Sequence, residues 1–418
     1  MLLLLFALCS VPGHEDWPQY HGPRGDRSSG ETLGLKSFPD GGPTRIWKVP
    51  VDAGFSSFSI ADGRAYTLVR RTIDGGEREV CLALDTASGQ ELWASALGAA
   101  EYDGGGDSGA EGNQGGDGPR STPSVSGGRV YVLDAHLGLA CLDARAGNVL
   151  WKHDLVAEHG GHVIQWQSAA SPLVEGELVI VAGGGPDQSL LAFDRQSGEV
   201  RWAWGDEKMT HATPIAATLQ GKRQVIFFVQ AGLVAVEPGS GELLWRTEFP
   251  YRTSTAASPV VNGDVVYCSA GYGVGAAAWR IAKQDGKLEP ELLWRTPNKR
   301  MNHWSTPVCK DGYLYGLFSF KEYGAGPLSC IDLATGEERW SEAGFGAGNC
   351  ILVGSDLVVL SDAGEVVLID PRPDGYHELA RADVLAGKCW SSPSFSDGQL
   401  YLRSTSEAVR LDLSRSKQ

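Results

Sequence analysis

Arg120, Trp166, Gln167, His211, Asn302, His303, Trp304, Lys388 and Trp390 share a place in the sequence: each stands a few residues ahead of a Ser-Pro or Thr-Pro step. Gathered at one spot, these side chains offer aromatic faces beside cations, which suits a planar, anionic or sugar-like ligand held by stacking and charge-assisted hydrogen bonds. The set contains no carboxylate, so it has no obvious general base, and binding is the chemistry it favours. The alternative is that the same side chains simply fill a tapering channel.

The segments that must position them recur along the chain. After each Ser/Thr-Pro step comes a short apolar run, a turn rich in Asp and Gly, and an alternating β-branched run; Ser171-Pro172 to Val181 is a clear copy. These are strand and hairpin signals. A second signature follows. Asp85, Asp143, Asp194, Glu237 and Asp332 each precede a glycine by four residues and a tryptophan by eight, namely Trp93, Trp151, Trp202, Trp245 and Trp340. A stretched copy runs from Asp285-Gly286 to Trp294. In such a turn the acidic side chain can accept bonds from nearby N–H groups while glycine takes a positive φ. The tryptophan then ends a fourth strand and suits a structural docking position between sheets.

Self-similarity with a period of roughly 40–50 residues denotes a propeller or solenoid. The last three-strand unit, which starts near Ser391 and ends at Leu413, lacks a fourth strand, whereas Thr44 to Val49 with Trp47 is a strand without a unit. The expected fold is therefore all-β: an eight-bladed β-propeller of four-stranded blades, its last blade closed by the N-terminal strand, leaving no long open edge. The organisation reads as a signal-peptide-like segment 1–13, an extended lead-in 14–43, a single propeller domain 44–413 and a tail 414–418.

The Ala-x-Asp-x-x-(Thr/Ser)-Gly-x-x-x-Trp unit resembles the repeat of the pyrroloquinoline-quinone-like β-propellers, from about Trp17 to Leu413. Asp16 to Pro23, Gly271 to Gly275 and Gly387 to Trp390 further resemble segments of exported planctomycete-type repeat proteins, which share the fold without a generally established activity. The superfamily includes quinoprotein alcohol dehydrogenases and the propeller lipoprotein of the bacterial outer-membrane β-barrel assembly machinery. The dehydrogenase branch implies a quinone held between a Trp and a vicinal disulfide, with Glu, Asn and Asp around calcium. This chain has no adjacent cysteines, and Trp390 alone could stack on such a ring. The expected function is an exported, non-catalytic binding or scaffold module, with a small molecule or a protein at the channel mouth and no cofactor. The alternatives are a periplasmic quinone-and-calcium-dependent dehydrogenase and a lipid-anchored outer-membrane assembly factor.

The formal net charge of −15 and the lack of a basic stripe argue against nucleic acid as partner. Leu2 to Leu8 suits the hydrophobic part of a signal peptide but is too short to span a bilayer. Export to the periplasm or cell envelope follows, with Cys9 as a possible acylation site disfavoured by Leu8 before it. The eight cysteines show no CxxC, vicinal or zinc spacing and read as buried thiols. The acidic, Gly-rich stretch 101–119 reads as a solvated insertion in preference to a calcium loop. His159-Gly-Gly-His162, with His153 nearby, reads as a surface loop for want of a carboxylate or Cys partner, so no metal ligands are assigned. No nucleophile elbow, phosphate loop or zinc-protease motif occurs, and no catalytic residue is assigned. A monomer is expected.

Overall fold

The computed structural model describes residues 15–414 apart from 103–117, 254, 319–321 and 323. It forms eight antiparallel sheets of four strands each, one of them extended by a fifth strand. The inner strands, in blade order one to eight, are Ser59–Ala61, Ser124–Ser126, Leu173–Glu175, Ile215–Leu219, Val260–Asn262, Val308–Lys310, Asn349–Val353 and Ser394–Ser396. Neighbouring inner strands approach one another, and the first meets the last, so the ring closes. The expected eight-bladed propeller is the observed one.

Closure follows the predicted route. Thr44–Pro50 pairs antiparallel with Glu407–Asp412, Thr44 opposite Asp412 and Pro50 opposite Glu407. Arg403 stitches this blade to the first, donating to Thr67 Oγ1 at 2.9 Å, Leu68 O at 3.1 Å and Asp52 O at 2.8 Å. Its guanidinium is fully buried, and that burial draws its pKa down to about 9.

The recurring Ser/Thr-Pro step has a mechanical explanation. Ser57 N donates to Thr122 Oγ1, Thr122 N to Ser171 Oγ, Ser171 N to Thr213 Oγ1, Ser258 N to Thr306 Oγ1 and Ser392 N to Ser57 Oγ, all at 2.7–3.0 Å. Each hydroxyl accepts from the preceding blade, satisfying buried amides where no sheet ladder runs. Blade seven begins with Ala347-Gly348 and has no such hydroxyl. There Arg27, 1% exposed, reaches in from the lead-in and donates to Cys350 O at 2.7 Å and Ser392 Oγ at 2.6 Å.

The extended lead-in packs into the ring along its length. Trp17 bridges Ile60 in blade one, Pro18 O accepts from Val125 N in blade two, and Ser28–Ser29 runs parallel to Leu352 and Val353 as the fifth strand of blade seven. Glu31 accepts from the amides of Asp397 and Gly398 in blade eight. His21 and Arg27 flank a cleft bounded by Ile215 of blade four and Val260 of blade five. These contacts tie the segment to the inner strands and the steps beside them around much of the ring.

The described cysteines are all free thiols, and all but the half-buried Cys309 are buried.

Candidate functional site

The Asp-Gly-Trp signature is a docking joint between blades. Asp143 Oδ1 accepts from Arg145 N at 3.0 Å and Ala146 N at 2.7 Å; Asp85, Asp194, Glu237 and Asp332 cap their turns in the same way. The carbonyl just after the capping residue then receives the indole N–H of the preceding blade: Trp47 to Thr86, Trp93 to Ala144, Trp151 to Arg195, Trp202 to Pro238 and Trp294 to Leu333, at 2.7–3.3 Å. The turn glycine lies flat on that indole. A Cβ at Gly147, whose φ is +75°, would sit 2.6 Å from Trp93. Trp340 donates to Arg372 O at 2.7 Å.

A one-residue β-bulge precedes the tryptophan on these outer strands, for example Leu92 between Glu91 and Trp93, and Leu150 between Val149 and Trp151. A bulge bends the strand and re-aims the next side chain, which turns each indole toward the neighbouring blade. Trp202 and Trp245 are buried, while Trp93, Trp151 and Trp340 are half-buried, less enclosed than expected. Trp245 departs from equivalence. The next blade has a long hairpin with its turn at Asp285-Gly286, so Trp245 donates to the Gln224 side chain of its own blade instead.

Ahead of the inner strands, four of the nine predicted residues, Trp166, His303, Trp304 and Trp390, join one aromatic arc. Phe55 stacks on Trp390 with ring centres 5.2 Å apart, Trp390 stacks on Trp304 at 4.7 Å, and Trp304 meets His303 at 4.6 Å. His303 stands edge-on to Tyr272 at 5.3 Å, and Tyr272 lies parallel to Trp166 at 6.5 Å. The small residues that begin blade seven permit this: Trp304 and Trp390, from blades six and eight, meet across it, and Trp304 Nε1 donates to Ala347 O at 3.1 Å. Trp166 and Gln167 hold positive φ values of 65° and 59°, strained for non-glycine residues. Arg120 donates to Trp166 O, and Gln165 O lies 3.0 Å from His211 Nε2, so both cation-capable groups attach to the same loop. Burial, with Arg120 nearby, lowers the His211 pKa to about 4 and keeps the ring neutral. Burial also lowers the Lys388 ammonium. An open cleft of about 500 Å³ beside His211 is lined by Gln165, Met209, Thr210, Tyr251 and Arg252.

Asn302 is a correction to the set. It is fully buried, donates to Leu317 O at 2.9 Å and accepts from Tyr267 Oη at 2.8 Å, which makes it a tie between blades five and six. Phe55 and Tyr272 belong to the arc and were missed. Phe55 lies just before Ser56-Ser57, a step with no proline, and Tyr272 sits in the Gly271 to Gly275 loop.

Sequence reasoning also saw no carboxylate here. Glu79 is fully buried near Arg120, accepting from Tyr102 Oη at 2.5 Å and Ala135 N at 3.0 Å. Burial, reinforced by Asp134, pushes its pKa up to about 7. Asp362 carries a carboxylate close to the arc, where Oδ2 accepts from Gly324 N at 2.8 Å and Ala347 N at 3.0 Å.

The architecture defines an eight-bladed β-propeller of the pyrroloquinoline-quinone-like kind. The sequence matches the family described as Outer membrane protein assembly factor BamB over residues 76–342, and the chain belongs to that family. It is 27% identical over 306 residues to the outer membrane protein assembly factor BamB of Burkholderia pseudomallei (strain K96243), covering 72% of this chain and 68% of that protein. Identity to the BamB of Moranella endobia (strain PCIT) is 23% over 268 residues, 60% of this chain and 64% of that one. Among solved structures, BamB from Moraxella catarrhalis superposes with a TM-score of 0.60 at 17% identity, covering 88% of this chain and 97% of that one. The quinohemoprotein alcohol dehydrogenase of Comamonas testosteroni gives 0.65 at 13% identity, over 96% and 81%. At such identities the structural likenesses concern the fold. No helix among the described residues is long and apolar enough to cross a membrane.

Proposed function

We propose that this chain is an exported, non-catalytic scaffold of the cell envelope that holds an acidic segment of a partner protein at its open channel mouth. The observation that carries the reading is the aromatic arc from Phe55 to Trp166. Its rings pack on one another and so present a broad wall, with Arg120 bonded to the Trp166 carbonyl and Lys388 two residues before Trp390 in the chain, that matches an extended acidic chain better than a flat cofactor. Membership of a family named for outer membrane protein assembly supports a protein partner.

The dehydrogenase alternative needs a slot for pyrroloquinoline quinone. Trp390, the ring expected to stack on it, has Phe55 on one side and Trp304 on the other. No disulfide joins the described cysteines. Glu79, the carboxyl with a pKa suited to a general base, is enclosed by Tyr102 and the Ala135 amide and has no surface to offer a substrate. The residues present therefore do not fit the quinone as that branch holds it. Titration of purified protein with pyrroloquinoline quinone and calcium tests this, reading absorbance and alcohol-dependent dye reduction together. We expect neither saturable uptake nor turnover; stoichiometric quinone binding with turnover would overturn the reading.

A further inference from the structure

In the sequence, His159-Gly-Gly-His162 with His153 nearby reads as a surface loop for want of a carboxylate or Cys partner at helical or hairpin spacing. The fold supplies one. Val149–Asp154 ends the outer strand of blade two and runs directly into the single helical turn Leu155–His159. Asp154 caps that turn, accepting from Val156 N and Ala157 N at 3.0 Å each. The abrupt change from strand to helix folds Glu158 and His159 back over His153. One ligand atom from each of the three then lies within 4.8 Å of the others.

Each of these side chains is also oriented by a second bond, the arrangement that metal ligands use to present one donor atom and withhold the other. His153 Nε2 faces Gly198 O at 2.8 Å, leaving Nδ1, which meets Glu158 Oε2 at 2.6 Å. Glu158 Oε1 accepts from Asp154 N at 2.9 Å, leaving Oε2. His159 Nδ1 faces Gln188 Oε1 at 2.9 Å, leaving Nε2. Gly198 and Gln188 belong to blade three, so the outer contacts tie the cluster across a blade boundary. The floor is apolar: Phe193, fully buried, has its ring centre 4.8 Å from His153 and 5.8 Å from His159. His159 is buried whereas Glu158 is exposed, which gives an ion a route in from solvent.

We propose that His153, Glu158 and His159 form a site for a divalent transition ion of the zinc type. Two imidazoles and one carboxylate suit that class, whose bonds to nitrogen and oxygen are about 2.0–2.2 Å. Binding draws the three atoms closer together and displaces the proton of the His153 to Glu158 bond to the buffer. Three protein ligands leave one coordination position for water or for a side chain brought by a partner. The site stands apart from the aromatic arc and does not depend on the scaffold reading.

The test is calorimetric titration of untagged, chelator-treated full-length protein with Zn²⁺, paired with visible absorption of the Co²⁺-loaded protein. One equivalent of Zn²⁺ is expected to bind. Glu158→Gln and His159→Gln should each weaken binding on the order of tenfold or more, and Gln188→Ala, which removes only the orienting bond, by about tenfold. Glu158→Gln changes an exposed residue and serves as the primary variant should His159→Gln fail to fold. His162→Gln, altering an exposed histidine outside the cluster, should leave the affinity unchanged, and the Co²⁺ bands should shift in Glu158→Gln. The proposal is overturned by a lack of saturable 1:1 binding, by binding that survives Glu158→Gln unaltered, or by binding lost in His162→Gln.

Discussion

The joint between blades turns on single atoms. Gly147→Ala would force a Cβ into the indole of Trp93 at a backbone φ of +75°. We expect a loss of about 2–4 kcal/mol in urea denaturation from combined backbone strain and overpacking. Trp93→Ala, which empties the opposite half of the same joint, should cost about 3 kcal/mol. Two buried titratable groups shape the pH response in opposite senses. Glu79 has a folded pKa of about 7 against an ordinary 4.5, so its contribution is intact below about 4.5 and is lost as the pH rises through 7. At about 1.4 kcal/mol per unit the full swing over about 2.5 units is about 3.5 kcal/mol. Glu79→Gln should therefore raise the melting temperature at pH 8 and leave it nearly unchanged at pH 4.5. His211 is lowered from 6.5 to about 4, so its contribution is intact above 6.5 and fades as the pH falls through 4. In His211→Gln the stability lost between those values should shrink, as thermal melts across that range would report.

At the scale of elements, regular features were readable and irregular ones were not. The orphan strand at Trp47 announced ring closure because a missing fourth strand and a spare one can be matched by counting. The Asp-Gly-Trp spacing announced a structural tryptophan, but not its partner. That partner depends on a bulge that moves the indole onto the next blade, and the outer strands are too exposed to carry an apolar alternation in which one extra residue would show. Tyr272 escaped because it lies in a glycine-rich loop outside the strand period. Asn302 was misplaced because adjacency to His303 and Trp304 says nothing about which way a side chain turns where the chain is irregular. The lead-in had no periodicity at all, yet it places Arg27 between blades seven and eight. Arg27→Ala should cost about 2–4 kcal/mol, since it leaves Cys350 O and Ser392 Oγ without their charged donor. Urea denaturation of that variant measures how far the lead-in acts as part of the ring.

For the whole molecule, eight similar blades create two unequal ends. One gathers aromatic rings from blades one, three, five, six and eight, with Arg120 bonded to the Trp166 carbonyl and Lys388 close to Trp390 in the chain. The chain's net charge of −15 would repel an acidic partner over much of the surface, so the cations at the mouth would direct such a partner there. Site-specific photo-crosslinking in the native host tests this most directly, with benzoylphenylalanine placed in separate cultures at Trp166 in the arc and at Leu292 on the exposed outer rim. The scaffold account predicts a discrete adduct with one envelope protein from position 166, diminished by Lys388→Glu, and no such adduct from position 292. An adduct formed from position 292 alone, or one from 166 that is indifferent to Lys388→Glu, would contradict it.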